Sequence, residues 1–533
     1  MPRLPGLFFL VTCVALGPTL LVGSPCLAND LGSANEAGSS QQETPAQTSA
    51  TFVDLLEQSE WKRAMDHWEQ ADQSERAALT SIRQPDGMTP LHWAVQHSNQ
   101  SWVDRLVAAK ADVNATNAYS VTPLVIACQS GNSRAAKALI DHGADVNHRV
   151  PGRVTSLMLA ARAGSPELIT LLIDAGADVA ATQHSGQSAL MWASDDGSVE
   201  VVKRLLNAGA APVRTNDFGF SAWFFAARRG RRDVINLFLQ QGVDINTRMK
   251  VKKPGGRAPR DRMTALMFAV ESGHFELAAS LIELGAQPND QANGYTPLHA
   301  VTWVRRAQLG DNPQGDPEPR GSGQLTSLEF VRRAVAMGAD VNAKLKRGRR
   351  RRGGLTFPGM TPFLLACHTV DLPLMNLLLE LGADPSEVNA DGVGAVELAA
   401  GVGVFVTGEF PGTPDEVEQA LRLLVEEVGL DVNHVSDTNE TAMHGAAYRS
   451  FAETVHLLAS LGADPAIWHR KNALKSTPAM VAAGKRPGSF KPAPEVVAAI
   501  ESYLEPGALP ITVESKVKAS KEEAWPKPAN QAF

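Results

Sequence analysis

With 533 residues, 44% of them apolar and 20% charged, the chain is too long to bury itself around one compact core. Its 44 glycines and 33 prolines do not cluster in a way that marks off obvious separate domains. The net charge of −7 excludes a uniformly basic molecule, so the run KLKRGRRRRGG at 344–354, with seven cations in nine residues, is a local feature needing its own explanation.

The N-terminus carries one early cation, Arg3, then an apolar segment, then CLA before a polar stretch. This is the layout of a secretory signal peptide, with cleavage expected after Ala28. A membrane anchor is the competing reading: Leu4 to Val22 is just long enough, but Pro5, Gly6 and Pro18 interrupt it. A lipoprotein signal ending at Cys26 fits poorly with Pro25 before it. The expectation is an exported protein, periplasmic or secreted, with no stable membrane span after cleavage. A nuclear-localisation role for the arginine run then falls away. Residues 29–50 are short polar side chains with little to bury and predict a disordered linker; 505–533, rich in Pro, Lys and Glu, predicts a disordered tail.

The region between is periodic. MTPLHWAV at 88–95 recurs as VTPLVIAC, VTSLMLAA, QSALMWAS, FSAWFFAA, MTALMFAV, YTPLHAVT, MTPFLLAC, VGAVELAA, ETAMHGAA and STPAMVAA. Its second residue, the anchor, falls at 89, 122, 155, 188, 221, 264, 296, 361, 394, 441 and 477, with a dominant step of 33. About twenty residues after most anchors comes a second marker of the GADVN type.

Each unit reads as a pair of helices. The Thr122 oxygen can cap free amides, and Pro123 at the first helical position forfeits no hydrogen bond. Leu124 and Ala127 form one apolar side, and Gly131 permits a left-handed residue that ends the helix. A second helix, SRAAKALIDH, stops at Gly143, and ADVNHRVPGR is a turn-rich connector. Neither helix can bury its apolar side within 33 residues, so neighbouring units must stack.

This pattern closely resembles the ankyrin repeat, whose signature is TPLH-x-A, a glycine, a leucine-rich second helix and GADVN. The resemblance covers eleven copies and implies an all-α, ankyrin-repeat solenoid of stacked helix pairs with projecting finger loops. The ninth copy departs from it, with Gly394 and Ala395 in place of Thr–Pro, and the last copy is degenerate. Residues 51–87 predict a helical, polar-faced N-terminal cap, and the repeats then occupy 88–504. Irregular steps place insertions near 248–263, 307–327, 344–360 and 401–416. The first and third lengthen fingers; the second and fourth separate the two helices of a copy.

Residues 248–262 carry a net +6 and 344–352 carry +7, leaving −20 for the rest of the chain. In ankyrin proteins the partner-contacting positions are typically the finger tips and the end of the first helix. Carried onto this chain, the resemblance implies Phe218 and Phe220 in one finger, then Arg228 and Arg229, Tyr295 in another finger, and Trp303 with Val304. The basic fingers add Arg248, Lys250, Lys252 and Lys253, then Arg347, Arg349, Arg350, Arg351 and Arg352. Aromatic residues and arginines are the side chains most often found as binding hot spots. Trp192, Phe224 and Phe225 read as core. The bland alternative is that the basic loops are merely solvated.

Catalytic and metal chemistry find little support. His92, His299 and His444 occupy one slot of the motif, where the family uses histidine to brace adjacent loops, and separate copies cannot converge on a metal. No HExxH or CxxC occurs. Cys128 and Cys367 sit at equivalent positions six copies apart, about 60 Å at helix-packing distance, and predict two buried thiols rather than a disulfide. The expectation is no enzyme, no cofactor and no small-molecule substrate. It is instead a scaffold for an unknown, acidic protein partner, or a binder of an anionic polymer such as an acidic polysaccharide or extracellular nucleic acid. Within the chain, the acidic stretch 415–431 is a third candidate to attract the basic fingers.

Overall fold

The anchor hydroxyls become helix caps. The computed structural model describes residues 52–251, 261–306, 319, 321–346, 355–404, 411–485 and 491–504. In it Thr122 accepts a hydrogen bond from the Val125 amide at 3.3 Å, and Pro123 opens the helix Pro123–Gln129. Thr89, Thr155, Thr264, Thr296, Thr361 and Thr477 cap their helices in the same way, and Ser188 does so with its own hydroxyl. Leu124 and Ala127 are buried. Gly131, at φ +74°, turns the chain into the second helix Ser133–Asp141. The expected signal peptide, linker and tail lie outside the described residues, as do Lys252, Lys253, Arg347, Arg349, Arg350, Arg351 and Arg352.

The fold class is all-α, as the periodicity predicts. Among the described residues the paired strands are two residues each, Arg149–Val150 against Val154–Thr155. Two compact units divide the chain: 52–244 with 249–251 and 261, and 245–248 with 262–504. In the first, helices over 52–57, Trp61–Gln70 and Gln73–Thr80 precede five helix pairs, from Pro90–Gln96 with Gln100–Ala108 to Ala222–Arg228 with Arg232–Gln240. Phe52, Trp68 and Trp102 interlock there with ring centroids 5.6–6.0 Å apart, closing the end of the stack, while Lys62, Arg63, Asp66 and Glu69 face solvent. In the second, pairs run from Ala265–Glu271 with Phe275–Glu283 to Pro478–Ala482 with Pro494–Glu501.

The second marker has a physical basis in side-chain bridging. Within the first unit, Asn114 donates to the Gly143 carbonyl at 3.0 Å and accepts from the Asp145 amide at 2.7 Å. Asn147 does the same with Gly176 and Asp178. Within the second unit Asn246, Asn289, Asn342 and Asn433 repeat the bridge. One amide thus satisfies a carbonyl and an amide that the following helix end leaves over. The motif histidines bridge too: Nε2 of His92, His299 and His444 meets the carbonyls of Val121, Met360 and Ser476 at 3.0–3.2 Å.

Two long segments separate helices within a pair in the second unit: one between Pro297–Arg305 and Ser327–Ala336, the other between Ala395–Ala400 and Pro414–Arg422. The end of the first returns onto the preceding pair, where the Ser322 amide donates to His274 Nδ1 at 2.8 Å and the Gln324 amide to Glu276 Oε2 at 3.0 Å.

Candidate interaction surface

In the first unit the residues at the end of one first helix meet those of the next. Asp195 and Arg228 both stand seven residues after their anchors, and stacking brings them together at 3.3 Å. Arg229 chelates the same carboxylate, Nε to Oδ1 at 2.8 Å and Nη2 to Oδ2 at 2.9 Å, while Arg231 donates to the Asp195 carbonyl at 3.2 Å. Three guanidinium groups therefore gather on one aspartate. Burial pushes the Arg228 pKa down, with Asp195 opposing it; the Asp195 hydrogen bonds push that of Arg229 up.

The aromatic residues of this finger divide. Phe220 is only 3% exposed. It packs on Phe225 at 5.4 Å, and the Arg228 guanidinium lies 5.4 Å over its ring and 5.1 Å over that of Phe225. Phe220 is thus withdrawn from the surface expected to present it, because it fills the space between finger and first helix. Phe218 is half-buried at the finger turn, where its amide donates to Asn216 Oδ1 at 3.0 Å. Lys250 is exposed, and its carbonyl lies so close over Gly219 that a Cβ there would come within 2.3 Å of the oxygen. Phe224 and Phe225 are core, as expected, but Trp192 is half-buried. Its indole N–H donates to Gln187, and Arg162 lies 5.6 Å over its ring.

In the second unit the candidates are likewise engaged. Arg248 is bidentate on Asp290, at 2.9 and 3.1 Å. Tyr295 is 5% exposed, donates its hydroxyl to Glu271 and meets the half-buried Trp303 edge-on at 5.0 Å. Tyr295 is therefore a bracing residue within the stack, with Trp303 as the more accessible ring.

Two arginines beside Trp303, unremarked in the sequence, do more. Arg305 chelates Asp371 at 2.7 and 2.9 Å, and that aspartate caps the helix Leu372–Glu380. Arg306 pairs with Glu416 and donates to the Thr369 and Val370 carbonyls at 3.3 and 3.0 Å. Arg449, almost wholly buried, donates to the Pro411 and His368 carbonyls, and burial pushes its pKa down to about 10. The acidic stretch is also occupied locally, since Glu418 and Glu426 both hold Arg422. Among the described residues no group of His, Cys, Asp and Glu could hold a metal ion, and no helix is long and apolar enough to cross a membrane.

Family models for ankyrin repeats match the chain, one described as three copies over 67–150 and 157–249, another as many copies over 264–306. Ankyrin repeats are thus detected over these stretches. The cap helix Trp61–Gln70 and all five helix pairs of the first unit lie wholly or partly in the matched stretches, as do the first pair of the second unit and the helix Pro297–Arg305. Ankyrin repeats generally mediate protein–protein interaction and are typically non-enzymatic. Comparison with curated proteins finds no match for the chain. In these repeats the residues that the motif alone did not reveal are Asp195, Asp290, Asp371 and Glu416. Asp195 carried a legible signal, since it fills the same slot as Arg228 one copy earlier with the opposite charge. Glu416 was legible only as part of the capping pair with Thr413.

Proposed function

We propose that this protein is an exported, non-enzymatic ankyrin scaffold that holds an acidic protein partner on the finger and groove side of its first unit. Phe218, Arg229 and Lys250 are the contacts. The observation that supports this reading most directly is the excess of guanidinium over carboxylate at Asp195. Arg229 is pre-ordered there by two hydrogen bonds, yet its side chain is 43% exposed, so a partner carboxylate can share it without ordering cost. Export rests on the Arg3-to-Ala28 layout. The basic run with Arg347 and Arg349 to Arg352, outside the described residues, is a separate candidate contact.

Affinity capture by the mature chain from native extract, at two salt concentrations, tests the reading. Arg229→Ser with Lys250→Ser weakens capture while leaving thermal melting unchanged; an unaltered set of captured proteins overturns it. Replacing Arg347 and Arg349 to Arg352 by serine tests the second finger in the same way. The arginine run also favours a second reading, an anionic polymer, and the salt series separates the two. Capture anchored by Phe218 survives moderate salt, whereas polyanion binding collapses steeply with it.

A further inference from the structure

The ninth repeat breaks the motif twice, and the two breaks explain each other. Where the motif is intact, the anchor hydroxyl meets the histidine: Thr89 with His92 and Thr296 with His299 at 2.7 Å, Thr441 with His444 at 2.9 Å. The far ring nitrogen then reaches a backbone carbonyl of the following finger. These histidines are neutral braces; burial pushes His299 and His444 down to about 4. The ninth repeat has Gly394 in place of the threonine, which offers no hydroxyl, and Glu397 in place of the histidine.

Glu397 is 1% exposed. A carboxylate so buried is costly unless a cation or strong donor meets it. Its Oε1 is met by Nδ1 of His434, which lies half-buried in the finger leading to the tenth repeat. The bridge of the other repeats is thus kept in place but changed in kind, from imidazole-to-carbonyl to carboxylate-to-imidazole. The charged groups facing His434 are all acidic: Glu397 from the first helix, with Asp431 and Asp437 from its own finger. The same finger is tied to the preceding one through the backbone, the Asp437 amide donating to the Asp391 carbonyl at 3.0 Å.

We propose that the joint between the ninth and tenth repeats is proton-linked: the finger over 431–440 is clamped to the helix Ala395–Ala400 while His434 is protonated, and is held more loosely once that proton leaves. The hydrogen bond that His434 donates to Glu397, reinforced by the neighbouring carboxylates, raises the His434 pKa above its ordinary 6.5. A raised histidine contributes its full stability below 6.5, and that contribution is lost as the pH climbs through the raised value. The other motif histidines supply no such dependence in this range, because their braces are neutral.

Hydrogen exchange of the full chain, corrected for intrinsic rates and followed from about pH 6 to pH 9, tests the joint. In the wild type, peptides covering 395–400 and 431–441 lose protection as the pH rises, while those covering 90–96 do not. In Glu397→Gln, and in Glu397→His, which restores the motif residue, the pH dependence disappears. A parallel NMR titration places the His434 pKa above 6.5 in the wild type and returns it towards 6.5 in Glu397→Gln. Identical exchange profiles in wild type and Glu397→Gln overturn the proposal. If that variant unfolds locally, a wild-type His434 that titrates at or below 6.5 overturns it on its own.

Discussion

The guanidinium of Arg306 grips the carboxylate of Glu416, 110 residues further along the chain. Arg306 closes the helix Pro297–Arg305 and Glu416 lies in Pro414–Arg422, so the pair reaches past the intervening helix pair Pro362–Thr369 and Leu372–Glu380, which nearest-neighbour stacking contacts would not do. Arg449, at the end of the helix Ala442–Arg449, makes a similar reach to the His368 carbonyl in Pro362–Thr369, at 3.4 Å. Arg306→Met therefore costs about 1.5–3 kcal/mol, the range for hydrogen bonds to charged groups, in denaturant unfolding of the chain. The Arg306 hydrogen bond also holds the Glu416 pKa below its ordinary 4.5. This contribution is present above pH 4.5 and lost as the pH falls through the lowered value, so acid unfolding of Arg306→Met loses part of the wild-type steepness.

Leu157 is 1% exposed in the shared core of the first unit. Leu157→Ala is expected to cost about 2–5 kcal/mol through lost burial and the cavity left behind. Thermal melting measures it, and a melt equal to the wild type's would show that the aligned position is not a core position.

The asparagine bridge has gaps, at Ala180, Val213, Ser386 and Ala466. Ala180 occupies the slot filled by Asn114 and Asn147 in the two preceding repeats, and Arg214 instead donates to the Ala180 carbonyl at 2.9 Å. By equivalence, Ala180→Asn places its side chain at the Gly209 carbonyl and the Ala211 amide. Two new hydrogen bonds should stabilise the first unit by about 1 kcal/mol. A lowered denaturation midpoint would contradict the account of the second marker.

Cys128 and Cys367 are free and buried. Burial pushes the Cys128 thiol up to about 12 and Cys367 higher still, so neither supplies thiolate near neutral pH. A thiol reagent at pH 8 is expected to leave both unmodified in the native chain and to modify both in denaturant, read by mass spectrometry. Native labelling of Cys128 at the denatured rate would mean that its helix opens freely.

Arg228 and Arg229 are adjacent in sequence and opposite in role. Arg228→Ala strips a cation from over Phe220 and Phe225 and lowers the melting temperature. Arg229→Ala leaves the rings packed and acts mainly on partner capture. Comparing melting with capture in the two variants checks this division.

The periodic elements were written in short-range terms, which is why they could be read from the chain alone. A threonine or serine before an apolar turn, a glycine after it and an asparagine in the connector each act through atoms within one repeat or the next. Capping, left-handed turns and period-33 stacking are therefore local facts. The candidate surface was legible only by position: the motif slot identified Arg228 and Arg229 as groove residues and holds Asp195 one copy earlier, but which of the three would pair was set by the stacking. The same slot rule named Phe220 and Tyr295, which the packing of finger on helix draws inward. Whether an arginine is a free cation or half of a pair depends on a carboxylate 33, 42 or 110 residues away. Only stacking sets that distance. The tertiary structure accordingly decided which charges are available, and the sequence by itself determined the row of helix pairs on which they stand.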